Sequence, residues 1–148
     1  MPHSPMPTAI REFLTLPNPA VMATVRKDGQ PVTVATWYML VEASRTRPPS
    51  DSDGAELLLN LDAGRARLAH LRTEPRISLT VLAGDDWYSH VSVQGRVTRL
   101  VDDEGLADID RISTHYTGHA YRVRDRPRVS AWCTVESWHG WGSLKTAD

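Results

Sequence analysis

The chain has 148 residues, 41% hydrophobic and 24% charged, with a formal net charge of −1. That is enough chain for one domain with a real core, residues 1–148, in the composition range of soluble globular proteins. The near-neutral charge argues against a nucleic-acid coat, and no apolar stretch is long enough to span a bilayer; one cysteine, Cys133, excludes an internal disulfide or a cysteine-based zinc site.

The N-terminal "MPHSPMPTAIREFLTLPNP" lacks the basic-then-apolar layout of a signal peptide, so a reducing cytoplasm is the expected compartment. Within it, Ile10, Phe13 and Leu14 stand at helical spacing and Pro17 ends the run. "AVMATVRKDGQPVTVATWYMLVEA" gives two strand-like runs around the hairpin signal Asp28-Gly29. Residues 44–55 are polar, with Pro48, Pro49 and Gly54, and predict a solvated loop. "ELLLNLD" is the third strand, "GRARLAHLRT" a helix of about two turns, and "RISLTVLAG" the fourth strand. In "WYSHVSVQGRVTRLV", Val91, Val93, Gly95 and Val97 alternate with His90, Ser92, Gln94 and Arg96, so one face is buried. "DDEGLADIDRISTHYTG" predicts a helix with Leu106, Ile109 and Ile112 inward and Gly118 as its stop. "RVSAWCTVESWHGWG" is the last strand. Six strands and three helices without βαβ alternation favour an antiparallel barrel plugged by helices.

Most ready-made chemistry is missing. His115 and His119 have the i, i+4 spacing of a zinc pair, but no glutamate follows His115 and Gly118 separates the two, so no metal site is expected. No serine lies in a nucleophile elbow, Cys133 falls mid-strand, where a buried thiol is the ordinary reading, and neither Gly-rich phosphate fingerprint is present. Aromatic residues do not interleave with basic ones, so no single-strand nucleic-acid platform is expected.

The informative stretch is "NLDAGRARLAHLRTEPR". Arg65 and Arg67 fall at the start of the predicted helix, where unpaired N–H groups and the helix dipole already favour an anion. Guanidinium forks match phosphate oxygens, so the pair suits a phosphate. The competing reading leaves both arginines solvated or paired with Asp62 and Glu74. Fifteen of the seventeen basic residues are arginine, so arginine alone carries little information.

The segments "ATVRKDGQP", "GRARLAHLRTEPR", "VQGRV" and "HYTGHAYRVRDRPRVSAWCTVESWHGWG" resemble the flavin-binding split-barrel superfamily that includes pyridoxamine 5'-phosphate oxidase. Within it they look closer to the branch that uses the deazaflavin coenzyme F420. The resemblance runs from about Val21 to Trp141. Relatives commonly begin the helix R-x-K, with an Asn-Leu-Arg segment and a D-P-R turn. Here these become Arg65 and Arg67, His70-Leu71-Arg72, and Glu74-Pro75-Arg76, with His70 unexplained in place of asparagine.

The resemblance implies a mainly β fold: a six-stranded antiparallel split β-barrel of the FMN-binding, Greek-key type with short flanking helices. It implies a homodimer with cofactor clefts at the interface. The phosphate would lie on Arg65 and Arg67, with Asn60 as a neutral hydrogen-bonding neighbour. The ring would lie along Val34, Ala35, Thr36, Trp37 and Tyr38, with Trp87, Tyr88 and His90 approaching from the other subunit. A large aromatic on a strand is ordinarily core, so Trp37 and Trp138 keep a packing reading as well. Trp87 follows the turn Gly84-Asp85-Asp86, which suits an exposed contact. The implied activity is hydride transfer from reduced F420 to a small conjugated acceptor such as an enone, quinone or tetrapyrrole, with Tyr38, His90 or water as proton source. FMN is the alternative cofactor, and a non-catalytic cofactor- or tetrapyrrole-binding protein the alternative role. Arg72 and Arg76, or Arg122, Arg124 and Arg126, are available for an acidic cofactor tail, although the second group also reads as a solvated turn.

Overall fold

A computed structural model describes residues 6–42 and 55–145. His3 lies outside the described residues, as does the expected 44–55 loop except for its last residue, Ala55. Helix α1 (Thr8–Leu14) turns Ile10, Phe13 and Leu14 into the core, as their spacing predicts. Strands β1 (Ala20–Val25) and β2 (Pro31–Thr36) form the expected hairpin, with Gly29 at φ 89° in its turn. After β3 (Met39–Val41) come β4 (Glu56–Asp62), α2 (Ala66–Thr73), β5 (Arg76–Leu82), β6 (His90–Asp102), α3 (Ala107–Thr117) and β7 (Arg128–Trp141).

The described strands number seven, not six, and form one antiparallel sheet in the order β2-β1-β5-β6-β7-β4-β3. The extra strand arises because the second apolar run changes partners at Trp37 and Tyr38. The Tyr38 side chain is fully buried, and its hydroxyl donates to the Leu14 carbonyl at 2.7 Å. The chain then resumes as β3 against β4, with Met39 opposite Leu58. Thus β2 and β3, adjacent in sequence, are opposite edges of the sheet. Three peptide links span at most about 11 Å, so the sheet curls until its edges approach. No ladder joins those edges among the described residues, and the sheet stays open at that seam.

The main core fills the inside of this curl with Leu57, Leu59 and Leu61 of β4, Leu79 and Val81 of β5, and Val91 and Val93 of β6. Leu58 faces the other way and packs with Ile109 and Ile112 of α3, which explains why β4 is apolar without alternation. Gly118, at φ 81°, ends α3 as its sequence predicts. Gly95 sits at a bulge between β6 and β7, where a Cβ would lie 2.3 Å from the Thr134 carbonyl oxygen. Only a glycine lets the strands meet there. No helix among the described residues is long and apolar enough to cross a membrane.

Cys133 is buried in β7, and burial followed by the nearby Glu56 charge pushes its thiol from 9.0 up to about 12. Burial likewise pushes the Tyr116 phenol from 10.0 up to about 12, and raises Tyr38 well above its ordinary range. Each folded-state value lies above its unfolded one, so the stabilising neutral form is intact below the unfolded value and is lost as pH rises toward the folded value. Urea unfolding is therefore expected to show falling stability from pH 9 toward pH 12. A flat profile across that window contradicts the buried neutral placement of these groups.

Candidate functional site

One cleft of about 580 Å³ opens where the ends of β2 and β4, the heads of α2 and β7, and one face of α3 converge. Its size falls within the usual range for small-molecule sites. Ala35, Thr36, Trp37, Asn60, Arg65 and Arg67 of the expected set all line it.

The cationic end is built by the β4–α2 junction. Asp62 closes β4, and its carboxylate accepts the Gly64 N–H at 2.9 Å, which turns the chain into α2. That bond, and then Arg126 at 3.3 Å, hold Asp62 below the usual carboxylate range against the opposing effect of burial. Arg65 occupies the N-cap of α2 in extended conformation, with no side chain capping the helix and no acidic residue in its first turn. Arg67 follows within the first turn, and its Nη1 is buried with no hydrogen-bond partner. Burial, then Arg65, then Arg128 make the Arg67 guanidinium hold its proton less tightly than an ordinary arginine does.

The carboxylates that offered a competing explanation are engaged elsewhere. Asp62 pairs with Arg126, and Glu74 pairs with Arg76. Among the described residues, no ion pair satisfies Arg65 or Arg67. An orphaned buried guanidinium N–H beside two further cations is an arrangement that an anion completes.

The rest of the cleft is aromatic and apolar. Trp37 stacks on Tyr116 with centroids 5.3 Å apart and planes 13° apart, and meets Tyr121 edge-on at 6.4 Å. The Tyr116 hydroxyl donates to the Asn18 carbonyl at 2.8 Å, tying α3 across to the segment before β1. Ile109 and Ile112 complete that wall. Trp37 packs against the α3 cluster and also lines the cleft, while Trp138 is core.

Five expected residues do not line this cleft. Val34 is half-buried opposite Met22 on β1, and Tyr38 is turned into the core as described. Trp87 and Tyr88, 73% and 58% exposed, lie in the β5–β6 connection. His90 begins β6, with Nδ1 2.8 Å from the Tyr88 carbonyl oxygen and its ring stacked on Trp141. Asn60 does line the cleft, but its side-chain amide and carbonyl are already committed to Asp103, Ser130 and Arg128.

Sequence reasoning gave no cleft role to Tyr116, Tyr121, Ile109 or Ile112, although it placed both isoleucines on the inward face of the helix. It left Arg128 at the end of a run that read either as a solvated turn or as cations for a cofactor tail. Arg124 and Arg126 of that run make surface ion pairs with Asp110 at 2.5 Å and Asp62 at 3.3 Å, whereas Arg128 enters the cleft. The unexplained His70 also acquires a role: its Nδ1 is 3.0 Å from the hydroxyl of buried Thr24, which ties α2 to β1. His115 stays on α3 and His119 lies beyond Gly118; among the described residues no group of three His, Cys, Asp or Glu is placed to hold a metal.

The family model described as pyridoxamine 5'-phosphate oxidase matches residues 6–142. Among solved structures, an F420 reductase is 22% identical, with a TM-score of 0.74 over 90% of this chain and 98% of its own. A conserved hypothetical protein from Mycobacterium tuberculosis is 22% identical, with a TM-score of 0.63 over 100% of this chain and 96% of its own. An FAD-binding protein from Mesorhizobium loti is 20% identical, with a TM-score of 0.59 over 90% of this chain and 92% of its own. At such identities these likenesses are of fold. No curated protein matches the chain.

Proposed function

Because the chain belongs to the pyridoxamine 5'-phosphate oxidase family, we propose that it is an oxidoreductase holding a flavin-type cofactor in the cleft, with reduced coenzyme F420 as hydride donor to a small conjugated acceptor. The supporting observation is the cleft's division into two chemistries. Arg65 and the orphaned Arg67 offer charge and N–H donors to an anionic tail, while Trp37 and Tyr116 offer a flat apolar wall to a ring system. A cofactor with a planar ring and a phosphate-bearing tail needs both.

Arg65 and Arg67 hold the tail, and the first-turn N–H groups of α2 add donors. Ala35, Thr36 and Trp37 flank the ring. Since β2 is an edge strand, its outer backbone groups are free for the ring's pyrimidine edge. Trp37 and the α3 wall exclude water from that end, which strengthens polar contacts made inside. A reduced deazaflavin held by these residues would supply a hydride equivalent to the acceptor. Tyr38 is a poor proton source for this chemistry, because its hydroxyl serves the Leu14 carbonyl within the core. The acceptor is a planar molecule able to stack on the ring, of enone, quinone or tetrapyrrole type.

We further propose a homodimer in which Trp87, Tyr88 and His90 reach the cleft of the second copy. The exposure of Trp87 and Tyr88 supports this, since a lone chain seldom leaves such neighbouring aromatics open. FMN is the second reading, favoured by the family itself, and its terminal phosphate suits the same two arginines.

Fluorescence titration with coenzyme F420 and with FMN tests the assignment. Saturable quenching of F420, tighter than any response to FMN, is expected. Binding of FMN alone moves the protein to the second reading, and indifference to both ends the redox interpretation. Reduced F420 should then be oxidised in the presence of enones, quinones or biliverdin; saturable binding without turnover would make this a cofactor-storage or shielding protein.

A further inference from the structure

The cradle of Arg65 and Arg67 leaves one guanidinium of the cleft unused. Arg128 opens β7, directly across the ladder from Asp62. Its Nε donates to the Asn60 side-chain oxygen at 2.6 Å, its Nη2 to the Asn60 backbone carbonyl at 3.2 Å, and its Nη1 to the Tyr121 hydroxyl at 3.4 Å. The guanidinium lies 4.8 Å from the centre of the Tyr121 ring. Of the five N–H bonds of an arginine, three are thereby engaged, none with a carboxylate. Asp62, its cross-strand neighbour, is bonded to Arg126 and the Gly64 N–H.

Asn60 is itself held fast. Its amide donates to Asp103 Oδ2 and to Ser130 Oγ, each at 3.1 Å. Because Arg128 Nε can only donate, the Asn60 oxygen must face it, and the orientation of the amide follows. Asp103 also accepts the Asp108 and Ile109 N–H groups at the head of α3, at 2.8 and 2.9 Å. Arg128 is therefore fixed directly by the neutral groups of Asn60 and Tyr121, with Asn60 anchored through the Asp103 carboxylate at the head of α3. The Arg128 charge helps keep Asp62 ionised without an ion pair between the two, and two N–H bonds remain on a side chain that lines the cleft.

We infer that Arg128 is a third ligand-binding guanidinium, and that with Arg65 and Arg67 it makes a site for a tail carrying two adjacent anionic groups. Those groups are a phosphate and a neighbouring phosphate or carboxylate. This rests on the reading of the cleft as a cofactor site and narrows the class of cofactor. Three cations share one cleft, close enough that Arg65 and Arg128 both act on Arg67. One phosphate can occupy Arg65 and Arg67, and the two unengaged N–H bonds of Arg128 suit a second negative centre beside it.

Calorimetric titration of the full chain with orthophosphate and with pyrophosphate tests the inference without the yellow cofactor. The wild type should bind pyrophosphate about tenfold or more tightly than orthophosphate, the size expected of one added charge-assisted contact. Arg128→Gln should remove most of that preference, and Arg128→Lys, which keeps the charge but not the fork, should retain part of it. The lysine variant serves if the glutamine variant fails to fold. An unchanged preference in whichever variant folds overturns the inference, as does a wild type that binds neither anion. Pyrophosphate preference in a protein that binds neither F420 nor FMN sustains the anion site and overturns the cofactor reading. Cofactor binding without any pyrophosphate preference does the reverse.

Discussion

Replacing Arg67 by methionine is expected to weaken cofactor binding by about tenfold to a hundredfold while leaving the cofactor-free protein at least as stable as wild type. Hydrogen bonds to charged groups contribute about 1.5–3 kcal/mol, and each 1.4 kcal/mol is tenfold in affinity. The stability half of the prediction has a separate cause. Arg67 Nη1 is buried without a partner and the side chain sits beside Arg65 and Arg128, so its charge opposes the cofactor-free fold. Methionine keeps much of the stem's packing and removes that opposition. Arg65 is exposed at the N-cap, so Arg65→Met should cost less affinity. Fluorescence titration and thermal melting check both halves. An Arg65→Met/Arg67→Met protein with unchanged affinity would show that the pair serves another purpose.

The second large effect is on stability: Asp103→Ala should cost about 2–4 kcal/mol. Removing a capping side chain costs about 0.5–2 kcal/mol, and leaving a buried donor without its acceptor costs about 1–3 kcal/mol more. Asp103 does both jobs, since it accepts two N–H groups of α3 and the Asn60 amide. Asp103→Asn should be milder for the helix, because one carbonyl oxygen still accepts from it. With its carbonyl at the Oδ2 position it keeps both Ile109 and Asn60, and only the Asp108 N–H faces the new amide. Urea denaturation measures the two variants, and equal, small losses in both would contradict this role for Asp103.

Much of the fold was legible because local chemistry coincided with tertiary demand. The alternation from His90 to Val97 marks the two faces of β6, and Gly118 stops α3 as its spacing with Ile109 and Ile112 requires. Arg65 and Arg67 were legible because a helix start follows from a buried strand and a turn. The break between β2 and β3 was hidden, since a run of apolar and small residues continues unbroken through it. What divides that run is the burial of Tyr38 against α1, a contact 24 residues away in sequence. Arg128 was hidden for a similar reason: only the pairing of β4 with β7, across 68 residues, separates it from its solvated neighbours Arg124 and Arg126. Asn60 lines the cleft but is bonded to Asp103, Ser130 and Arg128, because an asparagine at a strand end shows its position but not its partners.

The most direct measurement is a crystal structure of the protein grown with coenzyme F420, read at the head of α2. Density for the phosphate is expected within hydrogen-bonding distance of both Arg65 and Arg67, with the ring beside Trp37. Solvent alone against those two guanidiniums, with the coenzyme elsewhere or absent at saturating concentration, would contradict the cofactor reading.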